Sequence, residues 1–248
     1  MQETRTDQRS KTQRAIALED KYGAHNYHPL PVVLDSGKGV FVWDVEGKRY
    51  YDFLSAYSAV NQGHSHPRLV KVMQEQAGKL TLTSRAFYNS LLGEYEKFVC
   101  EFFGYEKVLP MNTGAEAVET ALKMARKWGY QKKGIPNGEA KIIVCEGNFH
   151  GRTISIISAS SDPDSRGGFG PYTPGFVSIP YNDIPALSKA LEDPNVCAFI
   201  VEPIQGEAGV FVPAEDYIST ANKLCKAKNV LFMADEVQTG IARTGRLL

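Results

Sequence analysis

Four short segments of the 248-residue chain carry groups that could bind a flat or anionic ligand. They are 112–115, 146–152, 202–207 and 235–238, and each follows an apolar run of strand length. In open sheets of parallel strands, ligands bind in the crevice outside the carboxyl ends of the strands. These four segments are therefore the candidate binding residues.

The first segment, Asn112-Thr113-Gly114-Ala115, leads from a predicted strand into a predicted helix. Unpaired N–H groups and the positive end of the helix dipole favour a phosphate at such a place. An ordinary helix N-cap followed by a turn glycine would have the same sequence, so both interpretations stay open.

The second segment gathers Phe149, His150 and Arg152 between and after two glycines. The Phe149 ring could cover the face of a flat ligand, and Arg152 could bind a carboxylate through two parallel hydrogen bonds. The alternative is a polar loop in which Arg152 pairs with a surface acid.

The other two segments supply carboxylates. Asp235 ends the apolar run VLFMA, and because a buried unpaired carboxylate is costly, it should face a cation or a protonated heterocycle. It could instead cap the next helix or pair with Arg243. Glu202 and Glu207 are paired acids in a Gly/Pro loop that could do acid–base work, although their spacing fixes no geometry.

Composition excludes several classes of function. The 28 basic and 28 acidic residues give no net charge, so we expect neither a nucleic-acid nor a membrane partner, and no apolar run approaches the length of a membrane span. We expect no metal, because His64 and His66 lack a third ligand at suitable spacing. GxSxG, Walker A and GxGxxG patterns are absent, which disfavours serine hydrolases, P-loop proteins and dinucleotide-binding proteins.

The cysteines favour a reducing compartment, since all four are scattered in apolar or amphipathic segments without CxxC spacing. The first 13 residues contain no apolar core of a secretory signal, and Glu3 and Asp7 disfavour a transit peptide. We therefore expect a cytoplasmic protein, with the mitochondrial matrix as the alternative.

The elements that position these residues follow from the hydrophobic pattern. A helix over 12–22 and an antiparallel meander from the runs VVLD, VFVWD and RYYDF precede an alternation of helices and strands that begins near residue 61. Apolar strands separated by helices, the first of them KVLPM at 107–111, predict an α/β fold with a mostly parallel sheet covered on both faces.

Together the strand-end motifs resemble the class III pyridoxal-phosphate-dependent aminotransferases from about residue 22 onward. The segments that carry the resemblance include YSAVNQGHSHP (57–67), NTGAEAVETALK (112–123), GNFHGRT (147–153), VEPIQGEAG (201–209) and ADEVQTGIARTG (234–245). The resemblance implies a fold-type I transferase, with residues 1–60 as the N-terminal part of the small domain and 61–248 as part of the large cofactor-binding domain.

The resemblance also implies roles for individual residues around pyridoxal 5'-phosphate. Asp235 would pair with the pyridine nitrogen, Val237 and Phe149 would cover the ring faces, and Gln238 would contact the phenolic oxygen. Phosphate would be bound by the backbone at Gly114 and Ala115, and Thr113 and His150 complete the implied cofactor set. The implied substrate-binding residues are Tyr27, Tyr57, Arg152, Glu202 and Glu207.

Within the family, YGAHNYHPLP and TSRAFYN favour the branch that transfers the δ-amino group of L-ornithine to 2-oxoglutarate, giving glutamate 5-semialdehyde and glutamate. A homodimer is implied as well. Acetylornithine transamination, 4-aminobutyrate transamination and a catalytically inactive fragment are the alternatives. The family's Schiff-base lysine follows the segment ADEVQTG, beyond Leu248, so we expect no catalytic residue within these 248 residues and no activity from them alone.

Overall fold

The computed structural model describes residues 9–248, so Glu3 and Asp7 lie outside the described residues. The chain divides into two compact units, Met1–Ser90 and Leu91–Leu248. These units are defined by packing, whereas the division at residue 60 comes from the family resemblance and stays a prediction. Within residues 9–248, no helix combines the length and apolar character needed to cross a membrane.

The first unit contains a helix, the expected meander and two further helical segments. Its elements are α1 (Lys11–Tyr22), β1 (Leu34–Lys38), β2 (Phe41–Asp44), β3 (Arg49–Tyr51), α2 (Ser55–Ser58) and α3 (Pro67–Ala77). The strands pair antiparallel in the order β1-β2-β3, which confirms the predicted meander, although β1 begins two residues later than the run VVLD. A capping box of Ser10 and Gln13 begins α1.

The short segment α2 is left-handed. Ser55, Ala56, Tyr57 and Ser58 have φ angles of 51°, 47°, 56° and 73°. Left-handed helical backbone costs L-residues roughly 1–2 kcal/mol each and normally occurs at single positions. A run of four residues without glycine must therefore be stabilised by its surroundings.

The second unit alternates helices and strands. Its elements are α4 (Leu92–Phe103), α5 (Gly114–Trp128), a π-helical turn (Gly129–Lys133), β4 (Lys141–Cys145), α6 (Ile154–Ile157), α7 (Pro163–Arg166), β5 (Phe176–Ile179), α8 (Ile184–Ala190), β6 (Val196–Val201), α9 (Tyr217–Ala227) and β7 (Leu231–Ala234). The predicted strand at 107–111 is wrong, since this segment pairs with no strand of the described chain. Pro110 also lacks the N–H group that a sheet ladder uses.

The four strands form one parallel sheet, as the apolar runs predicted, and their order is β5-β4-β6-β7. All six residues of β6 are buried. Because successive side chains of a strand point to opposite faces, Ile142 and Ile200 pack in one core beneath α5, while Ile143 and Phe199 pack in a second core with α8 and α9. The sheet is thus covered on both faces.

One lysine links elements at the amino ends of the strands. At the end of the π-helical turn, the Lys133 ammonium donates to the carbonyl of Val196, the first residue of β6, at 2.6 Å. It also donates to the carbonyl of Lys228, just after α9, at 3.4 Å. The carboxyl ends of β4, β6 and β7 lie at the other edge and lead into the predicted binding loops.

Candidate active site

A buried acid and imidazole meet at the carboxyl ends of the strands. The Asp235 N–H donates to the carbonyl of Val201 at 2.8 Å, which fixes Asp235 immediately after β7. Its carboxylate Oδ2 lies 2.6 Å from His150 Nδ1, and the two side chains are only 6% and 2% exposed. The Val237 N–H also donates to Asp235 Oδ1 at 3.2 Å. The partner that the buried carboxylate requires is thus a histidine from the loop after β4.

The second ring nitrogen of His150 is unsatisfied. An ionised carboxylate only accepts hydrogen bonds, so an ionised Asp235 requires His150 Nδ1 to be the donor. Nε2 is buried and has no hydrogen-bond partner among the described residues. Since buried polar groups are almost always satisfied, this atom indicates that water or a ligand completes the site.

Glu202 adds a carboxyl group whose protonation changes near neutral pH. The residue is 8% exposed, and its Oε2 accepts a hydrogen bond from the Phe149 N–H at 3.1 Å. Burial raises the pKa of Glu202 to about 7, opposed by His150 and the Phe149 N–H and reinforced by Asp235 and Glu207. A carboxyl group with such a pKa can hold or release a proton under physiological conditions.

The start of α5 presents backbone N–H groups. Thr113 is the N-cap, and its side-chain oxygen accepts from the Glu116 N–H at 3.1 Å. The first N–H groups of a helix have no partner within the helix, so those of Gly114 and Ala115 remain for an outside acceptor. This arrangement suits a phosphate or another anion.

Close packing joins the helix start to the loop after β7. A Cβ atom added to Gly114 would lie 2.8 Å from Val237 Cγ1, so only glycine fits there without a shift. The Val237 side chain is itself largely exposed, and Phe149 is partly exposed, at 39%. The Arg152 guanidinium lies over the Phe149 ring, 5.7 Å from its centroid. The site therefore combines an anion-binding helix end with exposed apolar groups and a cation.

The loops after β6 and β7 also contact each other through polar groups. Gln238 Nε2 donates to Glu207 Oε1 at 2.9 Å. A Cβ atom on Gly206 would lie only 1.6 Å from Gln238 Oε1, so the absence of a side chain at Gly206 makes room for Gln238. Gln238, predicted to contact the cofactor, and Glu207, predicted to contact the substrate, are therefore direct neighbours.

Two side-chain amides for which the sequence predicted no role, those of Asn148 and Gln205, hold these loops in place. Asn148 Nδ2 donates to the carbonyls of Cys145 and Ala159, and Gln205 Nε2 donates to the carbonyl of Glu146 at 2.8 Å. Both side chains are buried. Their signal in the sequence is an amide residue shortly after a mostly apolar strand, where loop carbonyls need donors.

The second unit thus brings together all of its predicted site residues. Thr113, Gly114 and Ala115 begin α5, and the others occupy the loops after β4, β6 and β7. The remaining two, Tyr27 and Tyr57, belong to the first unit, where both side chains are exposed.

This arrangement matches a known family. A family model described as Aminotransferase class-III matches residues 22–248. The chain belongs to the class-III aminotransferases. Among similar class-III aminotransferases, the mitochondrial ornithine aminotransferase of Drosophila ananassae is 64% identical over 239 residues, which are 96% of this chain and 55% of that protein. The chain therefore spans about half the length of the curated relatives it matches.

Solved structures of class-III aminotransferases share the fold. The ornithine aminotransferase of Toxoplasma gondii ME49 superposes with a TM-score of 0.95 at 52% identity, covering 97% of this chain and 57% of that one. The acetylornithine aminotransferase of Elizabethkingia anophelis has a TM-score of 0.84 at 60% identity, with the same coverage of 97% and 57%. The predicted fold class is confirmed.

Proposed function

We propose that the protein to which these residues belong transfers the δ-amino group of L-ornithine to 2-oxoglutarate, producing glutamate 5-semialdehyde and glutamate. The observation that carries the proposal is the buried Asp235–His150 pair at the carboxyl end of β7, where the family resemblance implies the cofactor ring would bind. Relatives named ornithine aminotransferase support the choice of substrate.

The residues present fit pyridoxal 5'-phosphate. The N–H groups of Gly114 and Ala115 would bind its phosphate, and Asp235 would hold the ring nitrogen in its protonated form. When bound, the cofactor supplies an electron-withdrawing ring that makes the substrate's C–H proton acidic. Val237 packs directly against the backbone of Gly114, so the helix end and the loop after β7 are adjacent. The buried His150 Nε2, which has no hydrogen-bond partner among the described residues, fits a site that a polar ligand completes.

Around that cofactor, the chain's own residues would orient the substrates and manage charge. Arg152 would bind the α-carboxylate of 2-oxoglutarate or glutamate through paired hydrogen bonds, and Tyr27 and Tyr57 would contact the ornithine chain. Glu202, whose pKa is about 7, can carry either charge state beside Asp235 and His150. Glu207 would adjust the charge near the substrate's far end and so influence whether an amine or a carboxylate is accepted.

We further propose that the complete protein is a homodimer. Large apolar side chains of α4, such as Phe98 and Phe102, are exposed and need a cover. For the compartment we keep the cytoplasm and the mitochondrial matrix, the latter supported by the names of the animal relatives.

The second candidate is acetylornithine transamination, which the 60% identity to the Elizabethkingia anophelis enzyme favours. Assays of the full-length protein with ornithine, N-acetylornithine and 4-aminobutyrate, each with 2-oxoglutarate, distinguish the candidates. We expect ornithine to have the highest kcat/KM. A preference for N-acetylornithine would overturn the proposed substrate.

The role of the buried pair is tested by Asp235→Asn, which keeps the shape of the side chain but removes its charge. We expect kcat to fall at least 100-fold. The cofactor's absorption spectrum should also change its pH dependence, because the ring nitrogen loses its anionic partner. Asp216→Asn, at an exposed residue before α9, is the matched control and should leave both unchanged. A fall of less than threefold for Asp235→Asn would contradict the assignment.

A further inference from the structure

The left-handed segment α2 carries Tyr57, one of the two tyrosines proposed to contact the substrate. The turn closes through hydrogen bonds from the N–H groups of Ala59 and Val60 to the Ser55 carbonyl, at 2.9 and 3.1 Å. Glycine would adopt these angles without steric cost but would leave the backbone free to move. Alanine, serine and tyrosine resist the left-handed region, so something outside the turn must hold it.

Asp52 is the group that holds the start of this turn. Its Oδ1 accepts hydrogen bonds from the N–H groups of Leu54 and Ser55, at 3.1 and 2.8 Å. The Ser55 N–H and the imidazole of His64 keep the pKa of Asp52 below its ordinary value. Asp52 therefore acts as an ionised acceptor that directs the backbone into α2.

His64 in turn braces Asp52 against the meander. Its Nε2 lies 2.7 Å from Asp52 Oδ2, and its backbone exchanges two hydrogen bonds with Gly39, at 2.8 and 2.9 Å. A Cβ atom on Gly37 would approach His64 Cγ to 2.7 Å, so the imidazole packs directly on the backbone of β1. The Asp52 N–H donates to the Val40 carbonyl at 2.9 Å. Asp52 is thus fixed to the sheet through both its backbone and its side chain.

We infer that Asp52, braced by His64, is a positioning residue that keeps α2 left-handed and thereby sets the direction of the Tyr57 side chain for recognition of the amine substrate. The inference rests on the proposed function, because it needs Tyr57 to contact substrate. His64 acquires a role in it as a brace, through an interaction that its sequence neighbourhood HSH did not suggest.

The test uses the full-length holoenzyme and compares Asp52→Ala, Asp52→Asn and Asp44→Ala. Asp44 is a matched control, because its Oδ1 also accepts from two backbone N–H groups and its Oδ2 accepts from the Tyr50 hydroxyl, in the turn after β2. Two quantities are measured. One is the ratio of kcat/KM for ornithine to that for glutamate, and the other is the hydrogen-exchange rate of the Ala59 and Val60 amides.

We expect Asp52→Ala to lower the ornithine-to-glutamate ratio about tenfold and to speed exchange of both amides at least tenfold. Asp52→Asn should keep the substrate ratio and the amide exchange rates close to those of the unaltered enzyme. Its amide oxygen can still accept from the Leu54 and Ser55 N–H groups, and its amide nitrogen can donate to His64. Asp44→Ala should leave both quantities within twofold. If Asp52→Ala does not fold, His64→Ala removes only the brace and should change both quantities in the same direction.

Two results would overturn the inference. Unchanged amide exchange in Asp52→Ala would show that Asp52 does not hold the turn, whatever the activity. Faster exchange with an unchanged ratio would show that the turn does not set substrate preference. If the unaltered enzyme does not use ornithine, the proposed function has failed instead, and the exchange rates alone decide whether Asp52 holds α2.

Discussion

Replacing Glu202 by glutamine should change the pH dependence of stability in a predictable direction. The buried carboxyl group keeps its proton up to a pH of about 7 in the folded protein, whereas an ordinary glutamate loses it near 4.5. Between these values the folded state binds more protons than the unfolded state, so stability falls as pH rises. Glutamine has no proton to lose, and its amide oxygen can still accept from the Phe149 N–H.

The magnitude follows from the two pKa values. They differ by about 2.5, and at about 1.4 kcal/mol per pH unit the ionised carboxylate costs the folded state about 3 kcal/mol above pH 7. Because Glu202 is 8% exposed, solvent screens little of this effect. The stability advantage of Glu202→Gln over the unaltered protein should therefore be about 2 to 3 kcal/mol larger at pH 8.5 than at pH 5.

Urea denaturation of the full-length protein without cofactor, at pH 5 and pH 8.5, measures this difference from the midpoints. Glu215→Gln, at an exposed glutamate, is the matched control. Its unfolding free energy should differ from that of the unaltered protein by the same small amount at both pH values. An equal effect of Glu202→Gln at the two pH values would refute the reasoning. A larger stability advantage of Glu202→Gln at pH 5 than at pH 8.5 would mean that the pKa of Glu202 is lowered, not raised, on folding.

Three further predictions concern packing and thiol chemistry. In the full-length enzyme, Gly206→Ala should lower kcat/KM for ornithine at least tenfold, because the added Cβ atom displaces Gln238. The unfolding free energy should stay within about 1 kcal/mol, because the side chain that must move is flexible. A loss of stability without a loss of activity would contradict this prediction. Gly129→Ala places a Cβ atom 2.9 Å from Cys197 Cβ and should lower the unfolding free energy by about 1–3 kcal/mol. The control, Gly93→Ala, adds a Cβ atom in open space on α4 and should raise the unfolding free energy by up to about 1 kcal/mol in the same denaturation assay. Of this chain's four cysteines, Cys100 should react first with a thiol reagent at pH 8, because burial raises the pKa of the other three to about 11 or 12. Peptide mapping that finds a second cysteine reacting equally fast would contradict this prediction.

Much of the second unit could be predicted from its sequence, because apolar strands and turn residues are local signals. The parallel sheet and the placing of Asp235 at a strand end followed from the run VLFMA and the residues after it. The partner of Asp235 did not follow, since His150 lies 85 residues earlier and only the strand order β4-β6-β7 brings the two loops together. The contact between Gln238 and Glu207 has the same origin.

The left-handed turn could not be predicted for a different reason. Positive φ angles are normally indicated by glycine or asparagine, and the sequence Ser55-Ala56-Tyr57-Ser58 contains neither. The start of the turn is held by hydrogen bonds that the N–H groups of Leu54 and Ser55 donate to the Asp52 carboxylate, and His64 braces that carboxylate in turn. The strand wrongly predicted at 107–111 failed for a related reason. A short apolar run forms a strand only where a neighbouring strand can hydrogen-bond to it, and the sequence does not reveal that neighbour.

The hydrogen bonds of Lys133 have a consequence for how this sheet could be altered. One ammonium group ties the π-helical turn to the carbonyls of Val196 and Lys228, at the end of the sheet away from the loops that carry Asp235 and Glu202. Burial lowers the pKa of Lys133, and the two carbonyls compensate for its lost hydration. The amino ends of the strands, which Lys133 holds, can therefore be kept constant while the loops at the carboxyl ends are varied. Loops after β4, β6 and β7 could be exchanged for those of a related transaminase to change the substrate, with Lys133 kept in every such chimera.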